Sequence, residues 1–300
     1  MTILKNYFME ISQKFDLLCD NLRMSKETVD TVSYRYHRII HQLNESYYGI
    51  DNDSLHGLYV GSYGRGTAIN TSDIDMLFVL PYEEYVRFNR YLTNGQSALL
   101  QDVKNSIQKT YPSSYISGDG QVIVVYFTDG VTFEVVPCFG NNDNSFTFPD
   151  SNNGGSWKIT NPRPEISAIN SLNNCTNKNL KRLCRMVRAW KEQNNVLLGG
   201  LLIDTLAYRF LKDWEYRDKT TVYYDWMTRD FFDYLSSIDD SQSYWCAVGS
   251  NQLIYRKGPF AAKAKKAYDA AVAAIAYKTS GYDYSANLKW QEIYGTRFPH

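Results

Sequence analysis

The chain has 300 residues, 44% hydrophobic and 21% charged, with 32 Lys and Arg balanced by 32 Asp and Glu to a formal net charge of zero. A chain of this length and apolar content buries a sizeable core in one large or two closely packed domains, which excludes a disordered protein. The neutral balance excludes a nucleic-acid binder that works through bulk basic charge and leaves only a basic face for that purpose.

Five cysteines, Cys19, Cys138, Cys175, Cys184 and Cys246, are scattered in neither a disulfide framework nor a zinc pattern, so they read as small apolar residues in a reducing compartment. The first residues lack a signal-peptide pattern, and every apolar run is too short to span a membrane. A cytoplasmic protein with no membrane partner is expected. The 25 tyrosines are read mainly as packing residues with their hydroxyls at the surface. His37 and His41 lie one helical turn apart without an evident third ligand.

In chain order, Thr2 to Asp20 carries helical periodicity, and a second helix is capped by Ser25. Val29, Val32, Tyr36, Ile39, Ile40 and Leu43 form its apolar face, suited to backing a sheet. Leu58-Tyr59-Val60 reads as a short strand that stops at Gly61, where a tight Gly-Ser turn begins. Gly64 and Gly66 let the backbone after it approach a ligand closely. Ile74 to Leu80 is a second strand. Side chains alternate along it, so Asp73 and Asp75 point the same way and their carboxylates converge. Paired aspartates also occur in solvated turns, but here apolar strand residues follow at once. Two anions so placed tolerate each other best with a cation between them, and oxygen ligands suit Mg2+.

Glu83 to Tyr111 is expected to be helical, broken near Thr93-Asn94-Gly95. Val122 to Phe127 and Thr132 to Phe139 read as a hairpin joined through Asp129-Gly130. Glu134 is the single charge in TFEVVPCF, and the hairpin allows it to lie beside the aspartate strand. Asp73, Asp75 and Glu134 could then hold two Mg2+ ions, with Mn2+ as the other candidate metal, one activating a hydroxyl and one holding a triphosphate. Gly140 to Pro164 is too long for a routine connector and reads as a functional loop crossing between lobes, with Phe146, Phe148 and Trp157 needing a surface to pack on. Leu180 to Asn194 is an amphipathic helix with an apolar stripe beside a basic stripe of Lys181, Arg185, Arg188 and Lys191. Leu201 to Trp214, Trp226 to Ser236 and Phe260 to Tyr277 are the clearest later helices.

Gly61-Ser62, Asp73-x-Asp75 and a later strand glutamate resemble the polymerase-beta-type nucleotidyltransferase signature. The ordered blocks GSYGRGTAINTSDIDM, TFEVVPCF, FPDSNNGGSWKITNPRPE and LKRLCRMVRAWKEQNN resemble more narrowly the cGAS/DncV-like nucleotidyltransferases of bacterial antiphage systems, called CD-NTases or SMODS proteins. This similarity runs from about Ser25 to the C-terminus.

The resemblance implies an α/β (α+β) fold: a catalytic lobe with a small mixed sheet at residues 1–165, and a helical C-terminal lobe at 166–300. It implies that Asp73, Asp75 and Glu134 are catalytic metal ligands, that Gly61 and Ser62 meet the donor triphosphate, and that a basic residue matching Arg188 assists, with Lys191 one turn beyond able to share the task. The family's usual Lys is Arg188 here, and its helix serine is Gly200. The implied product is a cyclic di- or trinucleotide made from ribonucleoside triphosphates, which reaches a downstream effector by diffusion. Whether a regulatory partner is needed stays open, and no obligate nucleic acid is expected. The alternatives are a template-independent nucleotidyltransferase acting on an RNA end, a small molecule or a protein; an RNA-sensing oligoadenylate synthase; and an inactive scaffold of the same fold.

Overall fold

A computed structural model describes residues 9–69 and 73–300. Its contacts divide into two compact units, Met24–Ser167 on one hand and the residues up to Arg23 with Ala168–His300 on the other. Helix α1 is Ile11–Asn21 and α2 is Lys26–Tyr48; the expected start of the first helix at Thr2 lies outside the described residues. The Ser25 hydroxyl accepts from the Thr28 N–H at 3.0 Å, and Gly49 closes α2 with φ +63°. Val32, Tyr36, Ile39, Ile40 and Leu43 are buried as expected, whereas Val29, in the first turn, is exposed.

The Met24–Ser167 unit is a mixed sheet backed by helices. In chain order it holds β1 (Gly57–Tyr59), α3 (Gly61–Arg65), β2 (Ile74–Val79), α4 (Tyr82–Asn89), α5 (Gly95–Thr110), β3 (Ile116–Asp119), β4 (Val122–Tyr126), β5 (Thr132–Gly140), β6 (Phe146–Asp150) and β7 (Ser156–Thr160), and ends within α6 (Pro162–Cys175). The spatial order is β1-β2-β5-β4-β3, with β2 and β5 parallel and the other pairs on this path antiparallel. Alternation sorts the two faces. Ile74, Met76, Phe78, Phe133, Val135, Ile123 and Val125 pack with α2 and α5 in one core, which leaves Asp75, Glu134 and Val124 on the other face.

Gly140 to Pro164 is not the inter-lobe loop expected. It holds β6 and β7, which pair with each other and extend the far end of β5 through Phe139 and Thr147. The residues that suggested a loop make two tight turns instead, with Asn144 at φ +65°, Asn153 at +53°, Gly154 at +88° and Gly155 at +91°. Phe146 supplies the anchoring burial, at 2% exposure.

The second unit comprises α1, the end of α6, α7 (Asn179–Gln193), α8 (Gly200–Asp213), α9 (Tyr224–Ser236), the hairpin β8 (Tyr244–Cys246) and β9 (Leu253–Tyr255), α10 (Ala261–Thr279) and α11 (Asp283–Tyr294). The sequence reading placed the N-terminal helices together in the catalytic lobe. Helix α1 groups instead with these helices, because Phe15, fully buried, meets Tyr224, Trp290, Tyr294 and Phe298 edge-on at 5.1–6.4 Å. No helix among the described residues is long and apolar enough to cross a membrane.

Candidate active site

The turn after β1 is the start of a short helix, α3, rather than an open loop. Gly61 opens it at φ +59°, and a Cβ there would stand 1.8 Å from the Asp75 carboxylate oxygen Oδ2. A Cβ on Gly64 would stand 2.4 Å from the Tyr59 carbonyl oxygen. The two glycines therefore let α3 fold directly onto Asp75 and the end of β1, and the Val60 N–H donates to the Asp75 carbonyl at 2.9 Å. Ser62 lies in the first turn of α3, and its carbonyl accepts from the Thr67 and Ala68 N–H groups, which curls the chain back over the helix. Gly61→Ala should displace Asp75 and lower turnover roughly 100-fold, the scale of an ångström-sized misplacement. Activity within a few fold of wild type would show that Asp75 tolerates the shift.

The strand register brings the acids together. Asp75 on β2 stands opposite Glu134 on β5, and their side chains share a hydrogen bond. Asp73, two residues before Asp75, accepts from the Thr132 hydroxyl, also on β5. Burial pushes the Asp75 carboxyl up, partly offset by the Arg65 guanidinium and reinforced by Asp73. Glu134 is pushed up to about 7, first by burial, then by the Asp75 and Asp73 charges and by its bond to Asp75. Behind them, Arg65 and Glu165 form an ion pair at 3.5 Å, at 5% and 4% exposure.

The sequence reading missed both Arg65 and Thr132. The signals were the lone cation in GSYGRG and a β-branched hydroxyl two residues before Glu134, on the same strand face.

Among the described residues no three acidic, histidine or cysteine side chains close on one point able to hold an ion. Glu134 and Asp75 bond to each other, and Asp73 is turned to Thr132. The donor set nevertheless fits a hard divalent cation, because every donor is oxygen and the carboxyls are raised first by burial and then by one another's charge, both of which a bound cation offsets.

The raised Glu134 carboxyl has a consequence for stability. Glu134 keeps its proton up to about pH 7 in the folded chain, against an ordinary value of 4.5. Between these values the folded form binds more protons than the unfolded one, so metal-free stability should fall as pH rises through the window. Tm measured in EDTA should decline from about pH 5 to about pH 7.5, and less in Glu134→Gln. Parallel slopes in the two proteins would place the titration elsewhere.

The basic stripe on α7 is rearranged relative to its expected use. Arg188 is buried, and its guanidinium donates to both carboxylate oxygens of Asp204 on α8, at 2.6 and 3.0 Å, and to the carbonyls of Cys184 and Gly200. The Asp204 charge holds this arginine above its ordinary value against the pull of burial. In this structure the donors of Arg188 are therefore spent on a buried ion pair.

Gly200 opens α8, and a Cβ there would lie 3.4 Å from the Arg188 Nη2. Lys191 is half-buried, its ammonium lowered first by burial and then by the Arg188 and Lys257 charges. Lys257 follows β9, with its Cε 3.6 Å from where a Gly199 Cβ would stand. Sequence reasoning missed Asp204, a lone acid inside the apolar run GLLIDTL whose isolation called for a buried cation.

An aspartate on β2 with another just before it, a glutamate opposite on a parallel neighbour and a Gly-Ser helix start packed against them are the arrangement expected of a polymerase-beta-type nucleotidyltransferase. The chain belongs to the SMODS family, the Second Messenger Oligonucleotide or Dinucleotide Synthetase domain, whose model matches residues 9–173. It is similar to a cyclic AMP-AMP-AMP synthase of Acinetobacter sp. (strain ATCC 27244 / 9458), 21% identical over 97% of this chain and 86% of that protein. It is also similar to a probable cyclic nucleotide synthase of Bacillus cereus (strain VD146), 23% identical over 56% of this chain and about half, 51%, of that protein. Its fold matches CdnC of E. coli MS115-1, solved with ATP, at TM-score 0.72 and 16% identity over 97% of this chain and 99% of that one. CdnC has also been solved as a complex with HORMA-deltaN.

Proposed function

We propose that this enzyme joins ribonucleoside triphosphates into a cyclic di- or trinucleotide second messenger, acting with Mg2+ in the cytoplasm as part of antiphage defence. The observation that carries the reading is the register of Asp75 against Glu134, with Asp73 beside them and the Gly61-Ser62 helix start folded onto Asp75. Two Mg2+ ions at Asp73, Asp75 and Glu134 would lower the pKa of a ribose hydroxyl and offset the charge of the phosphates. Asp75 and Glu134 would ionise fully to receive them, Thr132 would orient Asp73, and Arg65 would keep the Asp75 carboxylate charged.

Ser62 and the first amides of α3 would meet the donor phosphates. On α7, Lys191 would meet them too, with Arg188 one turn before it bound to Asp204. The product would reach a downstream effector by diffusion, and a regulatory protein partner belongs to the proposal, since CdnC is solved in complex with HORMA-deltaN. The cytoplasmic placement is supported by five free cysteines.

The test is mass spectrometry of the product made from the four ribonucleoside triphosphates with Mg2+ and no added acceptor. A cyclic di- or trinucleotide is expected. Labelling that requires an added RNA, protein or small molecule would replace this reading with transfer to that acceptor. Glu134→Gln should lower the yield at least about 100-fold.

A further inference from the structure

The open face of the sheet carries an aromatic pair that the acidic site does not use. Tyr126, at the end of β4, and Tyr115, just before β3, are 42% and 71% exposed, with ring centroids 5.3 Å apart and planes inclined by 38°. The Tyr126 N–H donates to the Tyr115 carbonyl at 3.0 Å, so the backbone holds the pair in place. Tyr126 stands two residues beyond Val124, which faces Glu134, and it pairs with Thr132, whose hydroxyl holds Asp73. Alternation therefore places the Tyr126 ring on the same face as the three acids, two strand spacings or about 10 Å from Asp73.

The strand order gives the site two flanks. The Gly61-Ser62 helix start follows β1 on one side of β2 and β5, and the tyrosines lie beyond β5 on the other. With donor phosphates at the Ser62 flank, the opposite flank is left for the attacking nucleotide. Its reactive hydroxyl must reach the acids, so its base lies only a ribose away from them. The geometry points to Tyr126, with Tyr115 beside it, as a stacking platform for the nucleobase of the acceptor nucleotide, an inference that rests on the nucleotidyltransferase reading above. A platform that binds through ring faces tolerates more than one base.

The probe is each of the four ribonucleoside 5′-monophosphates, which lack the polyphosphate that the donor flank would hold. They are titrated by saturation-transfer NMR on the full chain. At least one should show base-proton contact with the wild type, and Tyr126→Ala should weaken that binding about 10-fold, within the range of a lost base–aromatic stack. Tyr126→Phe should bind like wild type, since the ring and not the hydroxyl makes the contact. In turnover, Tyr126→Ala should raise the apparent nucleotide KM more than it lowers kcat.

If Tyr126→Ala fails to fold, Tyr126→Leu takes its place with the same expectation. Monophosphate binding that is unchanged in the ringless variant, absent from the wild type, or weakened as much by Phe as by Ala would overturn the platform and leave the pair as a hairpin-stabilising contact. A wild type that makes no nucleotide-linked product would overturn the nucleotidyl-transfer reading instead, and the monophosphate titration would still decide whether the tyrosines hold a base.

Discussion

Replacing Asp73 and Asp75 together by asparagine should abolish nucleotide joining, by about 1,000-fold or more, while leaving the protein at least as stable as the wild type without metal. Both halves of this expectation come from one arrangement. Asp75 is largely buried beside Glu134, and its carboxyl is raised because burial and the Asp73 charge together outweigh the help from Arg65. Removing two negative charges from that neighbourhood relieves Glu134, so the variant should lose function without losing the fold. Product yield by mass spectrometry and Tm in EDTA check the two halves. Turnover within 10-fold of wild type would remove these aspartates from the chemistry, and a variant that melts well below wild type would mean that the acids hold the sheet together.

The aspartate pair and Glu134 were legible in the sequence because a strand repeats every two residues. Once Ile74 to Leu80 and Thr132 to Phe139 are strands, the side of each acid is fixed, and one parallel pairing brings Asp75 opposite Glu134. The Ser25 cap and the buried face of α2 were legible for the corresponding reason, at helical spacing. Local pattern fails where the deciding partner is distant. Phe15 finds its ring partners at Tyr224, Trp290, Tyr294 and Phe298, in the last third of the chain, so nothing near α1 indicated which unit it joins. Gly140 to Pro164 failed differently: asparagine and glycine mark positive φ, and positive φ serves hairpin turns as readily as loops. Arg65 and Glu165 are 100 positions apart and become visible only when both are buried against one another.

Arg188 is where periodicity was right about the helix and silent about the side chain's partner, and it sets the last expectation. Arg188→Ala should cost about 3–5 kcal/mol of stability, because Asp204, at 0% exposure, loses its guanidinium partner inside the second unit. For a protein of this size that is a Tm lower by about 5–8 °C. Adding Asp204→Asn should recover much of the loss, since the two side chains are coupled and the charge left behind is what destabilises.

Lys191→Ala should behave in the opposite way, with Tm close to wild type and an apparent nucleotide KM raised more than kcat falls, because its half-buried ammonium is already disfavoured by burial and by the Arg188 and Lys257 charges and gains from a polyphosphate. An Arg188→Ala protein that melts like wild type yet shows the KM defect would return the triphosphate contact to Arg188 and displace the ion pair as its main role. If Lys191→Ala leaves KM unchanged, the donor phosphates are held by the Ser62 helix start and the metal-bound acids alone.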